Sequence, residues 1–275
     1  MRLLDSHLHL WDPAVLEYAW LDGPLRARFD VPELQDALAS APPAQRAFVF
    51  VQAECRADQA LAEVDWVGER AGRAGIVGIV ARAALERGAA VAADLEALRS
   101  RSLVAGVRRL LQDEPVGFAV SDAFVAGARA TAGAGLTFDA CIRPHQLDDV
   151  AELADAVPQL TIVLDHLAKP AVGGEVGAAW RAGLARVAER PNVVCKLSGL
   201  PAEAGPGWDA ALVASYLDAA AEAFGPGRLL FGGDWPVSGP YGEWVSAVSR
   251  WATRLSADEA DAVLWGNAHR VYGLG

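Results

Sequence analysis

Near its start the chain reads Asp5-Ser6-His7-Leu8-His9, two histidines one residue apart in an otherwise apolar run. Side chains two apart on a strand share a face, so both imidazoles point the same way. Converging imidazole nitrogens suit a divalent ion such as zinc, or proton transfer, whereas a single buried histidine more often only hydrogen-bonds within a core. A second stretch, Phe231-Gly232-Gly233-Asp234-Trp235-Pro236, sets a carboxylate beside glycines that let the backbone approach a ligand closely. Asp234 there can bind metal or take a proton from an attacking water. In a third, Leu164-Asp165-His166-Leu167-Ala168-Lys169-Pro170, strand alternation puts Asp165 and His166 on opposite faces, and His166 is the one expected at the site. Lys169 and Lys196 are the only lysines in a chain that otherwise uses arginine. A cation at either place can polarise a carbonyl or hold a substrate carboxylate.

These residues need elements to position them. Short β-branched or Leu-rich runs recur at 3–10, 47–53, 76–81, 104–110, 136–142, 161–167, 193–197 and 229–234. Between them lie helical patterns, among them 58–71, 91–100, 147–156, 178–189 and 212–224, several closed by Gly or Pro. Residues 258–272 read as a closing helix. Neither a GxGxxG nor a GxxxxGK[ST] sequence is present. Eight strands alternating with helices predict an α/β fold, a (β/α)₈ TIM barrel forming a single domain over residues 1–275. Such a barrel carries its chemistry on the loops at the C-terminal ends of the strands. His7, His9, His166 and Asp234 satisfy that criterion, as do Gln52 and Glu54 after strand two, Arg108 in strand four, Arg143 and His145 after strand five, and Lys196 in strand seven. For this last group, apart from Lys196, a solvated loop or internal ion pair is an equal alternative. His269 falls in the closing helix and is expected to be structural. Trp11, Tyr18 and Trp20 follow strand one, and Trp235, Tyr241 and Trp244 follow strand eight. Strands one and eight are neighbours in a closed barrel, so these rings are placed to stack on a sugar or planar ring. Loop tryptophans also mark subunit contacts, and a homo-oligomer is compatible with the sequence.

Composition excludes some partners. The net charge of −11 repels phosphate backbones, so nucleic acid is not an expected partner. No window approaches the roughly 18 uninterrupted apolar residues of a membrane span, and no basic leader opens the chain, so a cytoplasmic protein with no membrane partner is expected. Cys55, Cys141 and Cys195 have no CxxC spacing and read as buried thiols.

Taken in order, DSHLHLWDP, EYAWL at 17–21, VQAE, GVRRLLQDEP from Gly106, IRPHQL from Ile142, LDHLAKP, CKLSGL, FGGDWPV and GNAHRVYGL resemble the amidohydrolase superfamily, and within it the amidohydrolase-2 group of sugar-acid lactonases, over nearly the whole chain. The resemblance implies a distorted (β/α)₈ barrel and hydrolysis of a small-molecule lactone. Asp234 would be the general base, with His166, Arg108 or Lys196 stabilising the oxyanion. Trp11, Trp20, Gln52, Arg143, Lys169 and Trp235 would bind substrate. His7, His9, His166 and Asp234, helped by Glu54, would hold one divalent metal such as zinc. Metal-dependent superfamily members usually carry a histidine at the end of strand five, where this chain has TFDACI, so catalysis without metal stays open. Glu54 stands where relatives often have a smaller residue, and Gly233 where Ser is common. Two other readings remain: a metal-dependent amidase or decarboxylase acting on a small carboxylic acid, and a barrel that binds a sugar acid without turning it over.

Overall fold

The computed structural model, describing residues 1–42, 44–173 and 176–275, is a barrel of eight parallel strands in sequential order. The strands are β1 (Arg2–Leu8), β2 (Gln45–Val51), β3 (Ile76–Arg82), β4 (Val104–Leu110), β5 (Thr137–Cys141), β6 (Ile162–Leu164), β7 (Val193–Leu197) and β8 (Leu229–Phe231). All eight runs expected from periodicity form strands. β6 and β8 are shorter than their apolar runs because the backbone leaves the extended region early: His166 to Lys169, and then Asp234, take positive φ. The expected closing helix is three consecutive pieces, Ala257–Asp261, a π-helical turn Ala262–Gly266 and Asn267–Val271. No helix among the described residues is long and apolar enough to cross a membrane.

Two apolar layers form, as a closed barrel requires. The larger fills the space between strands and outer helices and includes Leu3, Leu8, Phe48, Phe50, Phe138 and Leu184. The smaller lies inside the barrel and is made of Leu4, Val49, Val51, Val80, Val163, Val194 and Leu230, with Tyr272 and Leu274 plugging its base. Gly78 admits Leu274: a Cβ there would lie 2.9 Å from Leu274 Cδ2.

One irregularity aims the first histidine. Strict alternation would give Leu4 and His7 opposite faces. Asp5 pairs with Phe48 and Leu8 with Phe50, so β1 spends three steps where β2 spends two. This bulge returns His7 to the barrel interior, on the side where Leu4 already points.

β8 and β1 meet along a seam closed partly by side chains. Ser6 Oγ donates to Phe231 O (2.7 Å). Asp5 Oδ1 accepts from Gly233 N (2.7 Å) and from His7 N (2.9 Å). Asp234 N donates to His7 O (2.7 Å), and His9 N to Trp235 O (2.9 Å). The seam thereby fixes the histidine pair against Asp234.

Candidate active site

The C-terminal ends of the strands surround a cavity of about 390 Å³ whose lining includes His9, Trp20, Glu54, Arg108, Arg109, Gln112, Cys141, His166, Lys169, Glu203 and Asp234. Its floor is a cluster of imidazoles around one carboxylate. Asp234 Oδ1 lies 3.4 Å from His9 Nε2, 3.7 Å from His7 Nε2 and 3.9 Å from His166 Nε2. Asp234 Oδ2 accepts from Ser238 Oγ (2.6 Å), which fixes the carboxylate plane.

A hydrogen bond assigns the tautomer of His9. His9 Nδ1 donates to Val51 O (2.7 Å), leaving its Nε2 unprotonated. At His7 cationic donors stand on both sides, Arg108 Nη1 3.2 Å from Nε2 and Lys196 Nζ 3.1 Å from Nδ1, and Asp165 Oδ1 lies 3.3 Å from Nδ1. The two Nε2 atoms are 3.2 Å apart. His9 Nε2 and Asp234 Oδ1, 3.4 Å apart, are acceptors facing each other, a contact that repels unless a cation, a shared proton or a metal ion, sits between them. His7, His166 and Asp234 each offer a ligand atom within 4.8 Å of the others. Burial supports this role: it holds the pKa of His7 well below its ordinary value, lowers that of His9 and pushes His166 down to about 4. All three rings therefore keep free lone pairs at neutral pH. Burial opposes ionisation of Asp234, and the lowering of its pKa by His166, His9 and His7 requires positive charge among them, a shared proton or a metal ion held by the cluster.

The turn after β6 departs from the expected alternation. His166, Leu167, Ala168 and Lys169 have φ of 54°, 52°, 60° and 51°, four consecutive non-glycine residues in left-handed conformation. Each costs roughly 1–2 kcal/mol relative to a right-handed turn. Bonds on both sides hold it: Trp180 Nε1 donates to Leu167 O (2.8 Å), Lys169 N to His166 O (2.7 Å), and His166 Nδ1 pairs with Ser198 Oγ (2.9 Å). The turn drives Leu167 and Ala168 into the core and brings His166 and Lys169 together onto the cavity wall. Gly199 must lack a side chain here, since a Cβ would sit 2.5 Å from His166 Nδ1. Asp165, expected on the opposite face, also points inward, because the strand ends before it at Leu164.

Several placements differ from the sequence expectation. Lys196 does not line the cavity. It is fully buried beneath His7, 2.5 Å from Asp139 Oδ2, 3.0 Å from Asp165 Oδ1 and 3.1 Å from His7 Nδ1, and Tyr272 adds an O–H bond to Asp139 (2.8 Å). Burial alone would lower the lysine's pKa, but the two carboxylates reverse this and raise it. Burial pushes Asp139 up to about 6, against the pull of Lys196. Glu54 also stands apart from the convergent ligand atoms, paired instead with Arg82 and accepting from Gln52 Nε2 (2.8 Å). Gln52 is wholly buried, Arg143 and His145 are exposed outside the cavity, and His269 is a surface residue.

Of the six loop aromatics, only Trp20 lines the cavity, 38% exposed and anchored by Nε1 to Ala53 O (2.7 Å). Trp11 is buried behind it with the ring centroids 5.4 Å apart, its Nε1 bonded to Ala27 O (2.9 Å). Trp235 packs against Phe29, and Trp244 donates to Gly232 O (2.8 Å). The glycines before Asp234 serve protein contacts rather than a ligand: a Cβ on Gly232 would come 2.9 Å from His7 Cβ, and one on Gly233 would come 2.3 Å from Asp5 Oδ2. Cys141 ends β5 at the cavity, and Cys55, Cys141 and Cys195 are all buried free thiols. Asp139, Ser198, Ser238 and Gln112 join the site without having been expected there, although three of them lie in the stretches TFDACI, CKLSGL and GVRRLLQDEP, and Asp165 joins it against the expected alternation.

Comparison with known proteins gives the same grouping. The amidohydrolase family model matches residues 4–274. An L-fucono-1,5-lactonase of Burkholderia multivorans is 36% identical over 98% of this chain and 96% of its own length. One from Burkholderia ambifaria is 32% identical, covering 98% and 95%. A crystal structure of a Burkholderia multivorans amidohydrolase with bound zinc superposes with a TM-score of 0.87 at 33% identity, over 100% of both chains. The chain belongs to the amidohydrolase family.

Proposed function

We propose that this protein hydrolyses the ring ester of a sugar-acid lactone, with Asp234 as general base. The observation that carries the reading is the Asp234 carboxylate, held through Oδ2 by Ser238 Oγ (2.6 Å) with Oδ1 turned to three imidazoles at the floor of the cavity. The lactonase relatives supply the substrate class. Asp234 takes a proton from water as the water oxygen adds to the lactone carbonyl, and returns it to the ring oxygen when the C–O bond breaks. The Arg108 guanidinium, on the cavity wall and fixed through Nη2 to Gln52 O (2.5 Å), stabilises the oxyanion between those steps. Lys196 acts from beneath: with Asp165 it orients His7. Trp20 offers a rigid apolar face to the sugar ring, and Lys169, held by the neutral amide of Gln112, is available to the carboxylate formed on opening.

His7, His9, His166 and Asp234 are the residues that would hold a divalent ion, for which the repelling acceptor atoms are suited. Such an ion would supply a Lewis acid that polarises the carbonyl and eases deprotonation of water. Arg108, 3.2 Å from His7 Nε2, opposes a second positive charge there and weakens its binding.

The test is Asp234→Asn, assayed with an aldono-1,5-lactone in a pH-stat. Turnover falls roughly 10²- to 10⁴-fold, the contribution of a positioned general base, with the melting curve retained. Wild-type turnover in the variant would sink the mechanism.

A further inference from the structure

We propose that Glu54 is a specificity residue, a carboxylate that recognises hydroxyl groups on the ring of the substrate. The proposal rests on the lactonase reading for the nature of that ring, but its observations are separate. Glu54 has φ 59°, a conformation that costs a non-glycine residue energy and is kept where its surroundings enforce it. Gln52, fully buried, clamps it at both ends. Glu54 N donates to Gln52 Oε1 (2.6 Å), and Gln52 Nε2 donates to Glu54 Oε2 (2.8 Å). Arg82 takes Oε1 and also bonds Cys55 O (3.3 Å), so the carboxylate is fixed in position and direction.

The carboxylate nevertheless stays a quarter exposed and lines the cavity between His9, Trp20 and Arg108. An ionised carboxylate offers about four acceptor sites. Arg82 and Gln52 use one on each oxygen, leaving about one more on each for incoming donors. Two adjacent O–H groups fit such a pair of acceptors, whereas a second carboxylate would meet like charge and an unsubstituted ring would leave the acceptors unpaired. With Trp20 beside it, this corner presents an apolar face and a fixed anionic acceptor together. A hydroxylated ring satisfies both, and a purely apolar or dianionic ring does not. Glu54 therefore separates hydroxylated lactones from plain or acidic ones, while the Asp234 cluster does the bond breaking.

The experiment compares wild type, Glu54→Ala and the near-isosteric Glu54→Gln. It measures kcat/KM for an aldono-1,5-lactone and for unsubstituted δ-valerolactone, and titrates 1,5-anhydroglucitol, a hydroxylated ring with no carbonyl, by calorimetry. The aldonolactone-to-valerolactone ratio is expected to fall about 10- to 100-fold in Glu54→Ala and in the same direction in Glu54→Gln, the loss of one or two hydrogen bonds to a charged group. Binding of the anhydro sugar weakens in parallel, and bound zinc per chain after metal loading stays at the wild-type level. A ratio within threefold of wild type in both variants overturns the proposal. So does zinc lost from both, which would make Glu54 a ligand. If wild type opens neither lactone, the lactonase reading fails by itself, and the calorimetric comparison still decides the role of Glu54.

Discussion

Replacing Lys196 with methionine tests the buried network beneath His7. The side chain is enclosed, with Asp139 at 2.5 Å and Asp165 at 3.0 Å, and among the described residues the only other arginine or lysine paired with these carboxylates is Arg108, 3.4 Å from Asp165. Two positive and two negative charges therefore balance. Methionine fills much of the volume but leaves one carboxylate uncompensated, and removing one partner of a buried pair costs about 3–5 kcal/mol. The loss depends on pH, and its sign follows from Asp139. Its folded pKa of about 6 already exceeds the ordinary carboxylate value, so the folded state binds the extra proton and stability falls as pH rises from about 4 through 6. Without Lys196 that pKa climbs further, and the deficit keeps growing above pH 6 by up to about 1.4 kcal/mol per unit until the new pKa is passed. Urea unfolding followed by the fluorescence of the nine tryptophans, at pH 5 and pH 8, measures both effects. Lys196→Met should lose about 3–5 kcal/mol at pH 8 and clearly less at pH 5, and adding Asp139→Asn should recover most of the loss. A deficit under 1 kcal/mol, or one equal at both pH values, would refute the charge balance described here.

Ala168→Gly should leave the melting temperature within a few degrees or raise it. Relief of roughly 1–2 kcal/mol of left-handed strain offsets one buried methyl and the added chain entropy, whereas Ala154→Gly, buried in the helix Leu147–Ala156, should cost about 1.5 kcal/mol or more. Gly233→Ala should destabilise by about 1–3 kcal/mol in the same melts, because its Cβ would press on Asp5 Oδ2 and, at 2.6 Å, on Tyr241 Cε2. Arg108→Met should tighten zinc binding at least tenfold in a chelator competition, since it removes a positive charge 3.2 Å from His7 Nε2, and should slow lactone opening by about 10²-fold.

The eight strands and the pairing of His7 with His9 were legible because both rest on simple periodicities, one of strand and helix alternation and one of side chains two apart, whereas His166 and Asp234 reach the same floor through left-handed backbone. Depth was not legible. Lys196 and Arg108 both lie in strands at inward positions, yet Arg108 reaches the cavity and Lys196 stops one layer below, which depends on strand stagger rather than on either residue's neighbours. The turn at His166–Lys169 was hidden because left-handed backbone is ordinarily announced by Gly or Asn, and none stands there; contacts from Trp180 and Ser198, distant in sequence, impose it. The same remoteness misled the reading of aromatics. Trp11, Trp235 and Trp244 are chemically suited to a sugar ring but are used to brace the loops that hold Trp20 and Asp234.

The hydroxyl that Tyr272 gives Asp139 comes from 133 residues further along the chain, and the ammonium of Lys196 from 57 residues further. At about 5–20 residues per second, a ribosome delivers the tyrosine roughly 7–27 seconds after the aspartate. For the first roughly 3–11 seconds, until Lys196 follows, β5 carries a carboxylate with neither partner, which a closed interior would penalise. Both partners of that carboxylate are therefore made after it, and the last belongs to the segment that plugs the base of the barrel.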